Sequence, residues 1–270
     1  MSDGADPGAK PVTDADIKGL WRRAYIKAPA EVPEFEDHDT QVYWFQADGL
    51  YADLRIPVRF SYGLSAPSLS VLAQDDLLEL AEAEGFAGCA SVVDGVCNWQ
   101  RAINLQGPES GRDIGRLEWT SGGLREYGVK ADFVELWLNQ QLDAPAPDGR
   151  VFTCEGGFWG FLITSPTRFL FACDRPSRKN LARPWKEVLT QALNRFDREL
   201  LTDLFQAEYS FGRIEDGAAV IELSSHPNRV GAVLCNKLPA ASNALTTHHV
   251  RFDGEALQRH WADTDLKFRA

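Results

Sequence analysis

An alternation of apolar and polar residues with period two, cut at short intervals by Gly, Asp-Gly and Pro, limits this chain to antiparallel sheet. Successive side chains of a strand point to opposite faces, and tight turns join neighbours. Residues 42–46 (VYWFQ) and 50–57 (LYADLRIP) flank Ala47-Asp48-Gly49 and predict a hairpin. The same reading pairs 88–93 with 96–106 around Asp94-Gly95 and 116–120 with 124–130 around Ser121-Gly122-Gly123, with a strand at 132–139. Aromatic and β-branched residues favour extended backbone, and Asp-Gly accepts the positive φ of a two-residue turn. Further on, 158–164 and 168–173, 210–214 and 218–224 around Asp216-Gly217, 230–236 and 246–252 resume the pattern. Two stretches break it. Residues 75–84 (DDLLELAEAE) predict a short helix stopped by Gly85, and 184–206 predict one long helix on the stripe Trp185, Val188, Leu189, Ala192, Leu193, Phe196 and onward.

The prolines of DAPAPDG at 143–149 deny helix and sheet alike and mark a linker. The expected organisation is a disordered N-terminus at 1–12, a first β-barrel at 13–142, the linker 143–149, and a second barrel at 150–270 carrying helix 184–206. Both halves show one order of signals, with Gly19-Leu20-Trp21 opening the first and Gly157-Phe158-Trp159 the second. That order suggests a duplicated β unit; a single large antiparallel domain with inserted helices is the alternative. Many antiparallel strands leave open edges, which close into a barrel or stack as a sandwich, and a barrel of about eight to ten strands can hold one small ligand.

Gly-x-Trp near the start of such a chain is a local signature of lipocalin-like barrels, where the Trp plugs the base, usually under an arginine. Leu20-Trp21-Arg22-Arg23, the run 42–46 leading into Tyr51-Ala52-Asp53-Leu54-Arg55-Ile56-Pro57, and Glu126 with Glu135-Leu136-Trp137 resemble bacterial relatives of a fungal casein-kinase-interacting protein family of lipocalin-like (calycin) fold. The likeness covers residues 20–140. It implies two tandem calycin-like antiparallel barrels and hands down no established chemistry.

With 28 basic against 39 acidic residues, a net charge of −11, the surface repels phosphate backbones and anionic lipid, so neither nucleic acid nor a membrane is expected as partner. Residues 1–12 lack the apolar core of a signal or transit peptide, and no apolar run approaches the roughly 18 residues of a membrane span. The expectation is a cytoplasmic protein. Five cysteines, odd in number and widely spaced, suit buried thiols rather than disulfides. Adjacent His248 and His249 point apart on a strand and cannot share a metal; no metal and no cofactor are expected. His38 sits on a polar loop. The G-x-S-x-G and G-x-G-x-x-G patterns fail at 63–67 and 156–160. The basic residues Arg175, Arg178, Lys179 and Arg183 read as a solvated loop or an anion site.

Charged residues within apolar rows carry the chemistry. Arg101 shares a row with Trp99, Ile103 and Leu105 opposite a polar row, which makes it the best inward charge. A buried guanidinium requires a partner, and Glu126 or Glu135 would supply it. The pair either braces the barrel or, beside Trp44, Trp99 and Trp137, anchors a flat ligand. Tyr51 and Arg55 join the candidate ligand-binding residues, although Asp53 and Arg55 also suit a solvated outer face. Three functions follow. One is binding of a small, flat, partly apolar molecule. The second is a cofactor-free lyase, isomerase or decarboxylase in which Glu135 or Glu126 moves a proton while Arg101 stabilises a developing anion. In the third, a protein-interaction scaffold, the second half and the loop at 175–183 dock a protein partner; a homo-oligomer is also compatible.

Overall fold

The computed structural model describes residues 10–107, 113–141, 145–175, 183–239 and 244–264. The first half runs through β1 (Gly19–Ala28), β2 (Phe35–Asp37), β3 (Gln41–Gln46), β4 (Leu50–Ile56), helix α1 (Gln74–Leu80), β5 (Glu84–Val93), β6 (Val96–Asn104), β7 (Asp113–Thr120), β8 (Gly123–Gly128) and β9 (Val134–Asn139). These nine strands form one antiparallel sheet in which β2 only flanks β1; the other eight close into a barrel because β9 returns to pair with β1. The second half comprises β10 (Asp148–Cys154), β11 (Trp159–Thr164), β12 (Arg168–Cys173), α2 (Trp185–Arg195), α3 (Arg198–Leu204), β13 (Glu208–Glu215), β14 (Ala218–Ser224), β15 (Val233–Cys235), β16 (Ala244–Val250) and β17 (Ala256–Asp263). Its eight strands form a single sheet with β15 and β16 at the two ends, an almost closed barrel. The chain is therefore mainly β, two tandem antiparallel barrels with neighbouring strands in up-and-down order.

The halves share more than strand order. Helices interrupt each at the same place, between β4 and β5 and between β12 and β13. The next hairpin in each turns on Asp-Gly with positive φ at both residues, 51° and 74° at Asp94-Gly95 and 50° and 82° at Asp216-Gly217. Each of these hairpins also carries a register shift beside a glycine, Gly88 and Gly212. A Cβ there would lie 2.0 Å from the carbonyl oxygen of Gln100 or Val220, so only glycine permits the close approach.

Three apolar cores hold the molecule. One fills the base of the first barrel, one fills the second, and the largest lies between them. In that shared core Phe45, Ala52 and Leu54 pack with Phe161, Ile163 and Leu170, and the Tyr43 ring stacks on Phe211 at 4.1 Å. Strand β4 is thus covered on both faces. Its apolar row looks toward the second barrel, and its Tyr51, Asp53, Arg55 row looks into the first.

Several expectations need correction. Trp159 does not open the second barrel; β10 does, and the ring inside that barrel is Trp261 while Trp159 packs on the shared core. Helix α1 stops at Leu80, because Glu84 already pairs with Arg55 in the sheet. The stretch 184–206 is two helices rather than one: Phe196 turns left-handed at φ 53°, and the Asp197 carboxylate accepts the Leu200 N–H as a new N-cap. Phe196 consequently leaves the apolar stripe and is 87% exposed. Strand β10 begins at Asp148, inside the expected linker, and Val12, at the end of the supposedly disordered segment, is buried in the first barrel's core. The rest of that N-terminal reading falls largely on residues 1–9, outside the described residues. Ile103 and Leu105 do not share a face with Arg101, since the register shift places them in the shared core.

Candidate functional site

The first barrel encloses a cavity of about 230 Å³. Behind its lining lies Trp21, fully buried, whose Nε1 donates to the Ile17 carbonyl at 2.7 Å. Trp44 stacks on Trp21 at 6.0 Å, so an aromatic ring rather than the expected arginine covers the plug. Trp99 and Trp137 each meet Trp44 edge-on at 5.6 Å, the arrangement that aromatic quadrupoles favour. Three indoles from β3, β6 and β9 therefore line one hollow.

Around these rings the barrel buries charge. Glu126 and Glu135 stand opposite each other on β8 and β9, and both point inward. Glu126 Oε2 accepts the Trp137 Nε1 proton at 3.0 Å. Glu135 Oε1 accepts from Arg23 Nη1 at 2.8 Å and lies 3.6 Å from Arg55 Nη1, while Arg23 also reaches Asp37 at 2.7 Å. Arg55 Nε donates to Asp53 at 2.9 Å. The Arg101 guanidinium lies 3.5 Å from the centre of the Phe86 ring and bonds Asp113 at 2.6 Å. Burial, then the nearby charges of Glu135 and Asp113, hold the Glu126 carboxyl well above the usual carboxylate range. Burial opposes the charge on Arg55, but Asp53, Glu135 and Glu84 outweigh it and raise its pKa further. The Tyr51 hydroxyl, in a side chain only 2% exposed, has no hydrogen-bond partner among the described residues, and burial raises its pKa well above the ordinary value.

All eight residues singled out in the sequence, Trp44, Tyr51, Arg55, Trp99, Arg101, Glu126, Glu135 and Trp137, border this cavity. The expected pairing differs. Among the described residues the carboxylate on Arg101 is Asp113, not Glu126 or Glu135, and the guanidinium on Glu135 is that of Arg23. Asp53 and Arg55 face the interior rather than a solvated outer face. Arg23, Phe86, Glu84 and Asp113 were not anticipated. For Arg23 a signal existed, since it stands two residues after Trp21 and so on the same face. Asp113 offered none, because its partner lies across the hairpin.

Elsewhere the candidates give less. His38 is exposed, 3.2 Å from Glu36, and does not border the cavity. Arg175 is buried rather than solvated and lies 4.8 Å from the Trp185 ring, Arg183 is exposed, and Arg178 and Lys179 fall outside the described residues. Among the described residues no three His, Cys, Asp or Glu side chains are grouped to hold a metal, and no helix is long and apolar enough to cross a membrane.

No protein-family model and no curated protein sequence matches the chain. Its fold is similar to the crystal structure of an uncharacterized protein, YLR301w, from Saccharomyces cerevisiae, with a TM-score of 0.52 and 14% identity over 94% of this chain and 100% of that one. At that identity the likeness shows the fold alone: the tandem-barrel architecture recurs in another protein.

Proposed function

We propose that this protein binds a small molecule inside its first barrel. The observation that carries the reading is a hollow of about 230 Å³ bordered by three indoles, Glu126 and Tyr51, whose buried hydroxyl has no hydrogen-bond partner among the described residues. Leaving such a group unsatisfied costs about 1–3 kcal/mol, which a hydrogen-bonding ligand would offset. The volume lies below the roughly 300–1,000 Å³ of sites for drug-sized ligands, so the occupant is a single ring with a short chain. Trp44, Trp99 and Trp137 supply the walls, and Tyr51, Glu126 and Arg101 the polar contacts. Native mass spectrometry of freshly purified protein tests this: a bound mass is expected, retained when the second barrel is altered and lost in Glu126→Ala. A mass that survives Glu126→Ala would place the ligand elsewhere and end this reading.

One observation favours a second reading. Glu126 is a carboxyl held toward its neutral form at the wall of a cavity, as a general acid requires. In a cofactor-free lyase, isomerase or decarboxylase it would deliver the proton while Arg101 faces the developing anion; Glu135, clasped by Arg23, is the positioning partner. Glu126→Gln would then abolish turnover while substrate still binds, and unchanged turnover excludes the assignment. Kinship with the fungal casein-kinase-interacting family belongs to the same proposal, supported by the fold shared with a fungal protein. The five free thiols support a reducing, cytoplasmic setting.

A further inference from the structure

Resting on the small-molecule reading, we infer that the ligand of the first barrel is an organic cation, an amine carried protonated on one ring or short chain. The cavity's charges point that way. Asp53, Glu84, Asp113, Glu126 and Glu135 border it, against the guanidinium groups of Arg55 and Arg101. Both guanidinium groups are already engaged. Arg101 is held by Asp113 and the Phe86 face, and Arg55 by Asp53, with Glu84 and Glu135 within 3.8 Å. Arg23, behind the wall, is shared by Glu135 and Asp37. An incoming anion would meet arginines already neutralised and a surplus of carboxylates.

A cation meets the reverse. Glu126 has no ion-pair partner among the described residues; the donor it does have is the indole of Trp137. Space is reserved for it, since a Cβ on Gly115 would lie 2.6 Å from Glu126 Oε1. The indoles of Trp44, Trp99 and Trp137 border the same volume, and indole faces attract desolvated ammonium groups. Tyr51 borders the cavity as well, and its buried hydroxyl, without a partner among the described residues, is an acceptor for an ammonium N–H.

Binding a cation beside Glu126 favours its ionised form, so its proton leaves to the buffer as the ammonium–carboxylate pair forms. The groups that face Glu126 are Glu135 on β9, Asp113 on β7, Arg55 on β4 and the buried Cys97 thiol on β6, with Arg101, Asp53 and Tyr51 across the cavity. The two nearby carboxylates raise the affinity for either proton or ammonium, and the two compete for one place.

The test is calorimetric titration with three probes of one shape: 2-phenylethylammonium, 2-phenylethanol and phenylacetate, each in phosphate and in Tris. The ammonium should bind at least tenfold more tightly than the alcohol, release a proton seen as a buffer-dependent enthalpy, and tighten as pH rises from 6 to 8; phenylacetate should bind weakest. In Glu126→Gln the ammonium should fall to the alcohol's affinity and release no proton. The buffer dependence is measured on the unaltered protein, so it stands even if that variant folds poorly. Phenylacetate binding most tightly, or ammonium and alcohol binding equally without proton release, overturns the cation inference and leaves the binding reading in place. Three probes that all fail to bind, together with no co-purified mass, overturn both.

Discussion

Counted from the glycine at each register shift, the two barrels can be laid strand on strand, and their interiors turn out opposite. Where the first places Trp44, Tyr51, Asp53 and Arg55, the second places Leu162, Phe169, Phe171 and Cys173. Arg101 corresponds to Ile221 and Trp99 to Ala219. Each barrel keeps one buried indole on its closing strand, and the indole of each donates to the neighbouring strand, Trp137 to Glu126 at 3.0 Å and Trp261 to Thr247 at 2.7 Å. Closing a sheet does not make it hollow; the side chains at a few equivalent positions do. The second barrel buries a carboxylate too, but satisfies it. Glu208 is met by His249 at 2.7 Å, Ser210 at 2.9 Å and Arg229 at 3.4 Å. A buried carboxylate with cations and donors already in place is a brace, and one facing empty space without a counter-ion is a site.

The widest separation between the barrels should come from Glu208→Ala. It leaves Arg229 and His249 buried without their anion, and unfolding in urea should show a loss of about 3–5 kcal/mol with ligand binding in the first barrel unchanged. A loss under about 1 kcal/mol would mean that the second barrel is not braced there. The tryptophans sharpen the same contrast. Trp261→Ala, in a filled interior, should cost about 3–5 kcal/mol, whereas Trp99→Ala should cost about half as much, because one side of that ring already borders empty space. Equal losses would show the first barrel to be as tightly filled as the second.

Acid and base should pull on the two barrels in opposite directions. Burial pushes His226 down to about 4, while the unfolded chain titrates near the ordinary histidine value of about 6.5. Between those values the unfolded state holds the extra proton, so stability falls as pH drops through that window. Glu208 continues the trend: burial acts to raise it, Arg229 and His249 outweigh burial, and its depressed pKa means stability is lost on further acidification. Glu126 is the reverse case. Its raised pKa makes the folded state hold a proton that the unfolded state releases above about 4.3, so this contribution is lost as pH rises through the folded value. Melting temperature against pH should lose its alkaline-side decline in Glu126→Gln and part of its acid-side decline in His226→Asn; profiles unchanged from wild type would count against both assignments. The smallest effect is a swap. Tyr51→Phe should leave stability unchanged or raise it by about 1 kcal/mol, since the hydroxyl it removes has no partner among the described residues. Phe169→Tyr, at the equivalent place in the filled barrel, should instead lower stability, and the reverse order of the two melting temperatures would contradict the correspondence.

Much of the candidate site was legible because it rests on short-range pattern. Glu126, Glu135, Arg101 and the tryptophans stand out as charges or large rings within alternating rows, and alternation survives into the barrel. What misled was the bond between rows and faces. On β4 the apolar row Ala52, Leu54 and Ile56 suggested an interior, yet it is buried against the other barrel, and the charged row is the one enclosed. Beyond Arg101 the register shift exchanged the faces, so Ile103 left the row it seemed to share. Phe196 fitted a helical stripe, but Asp197 restarts the helix one residue later.

Strands, Asp-Gly turns and the duplicated order followed from the amino-acid sequence alone, because each is decided by a residue's immediate neighbours and its own backbone preferences. Which face became an interior, which carboxylate met which guanidinium, and why one barrel is open while its twin is filled were decided by tertiary structure. Burial is a property of what packs on a surface, and the residues that pack here, from the other barrel and across the sheet, lie far away along the chain.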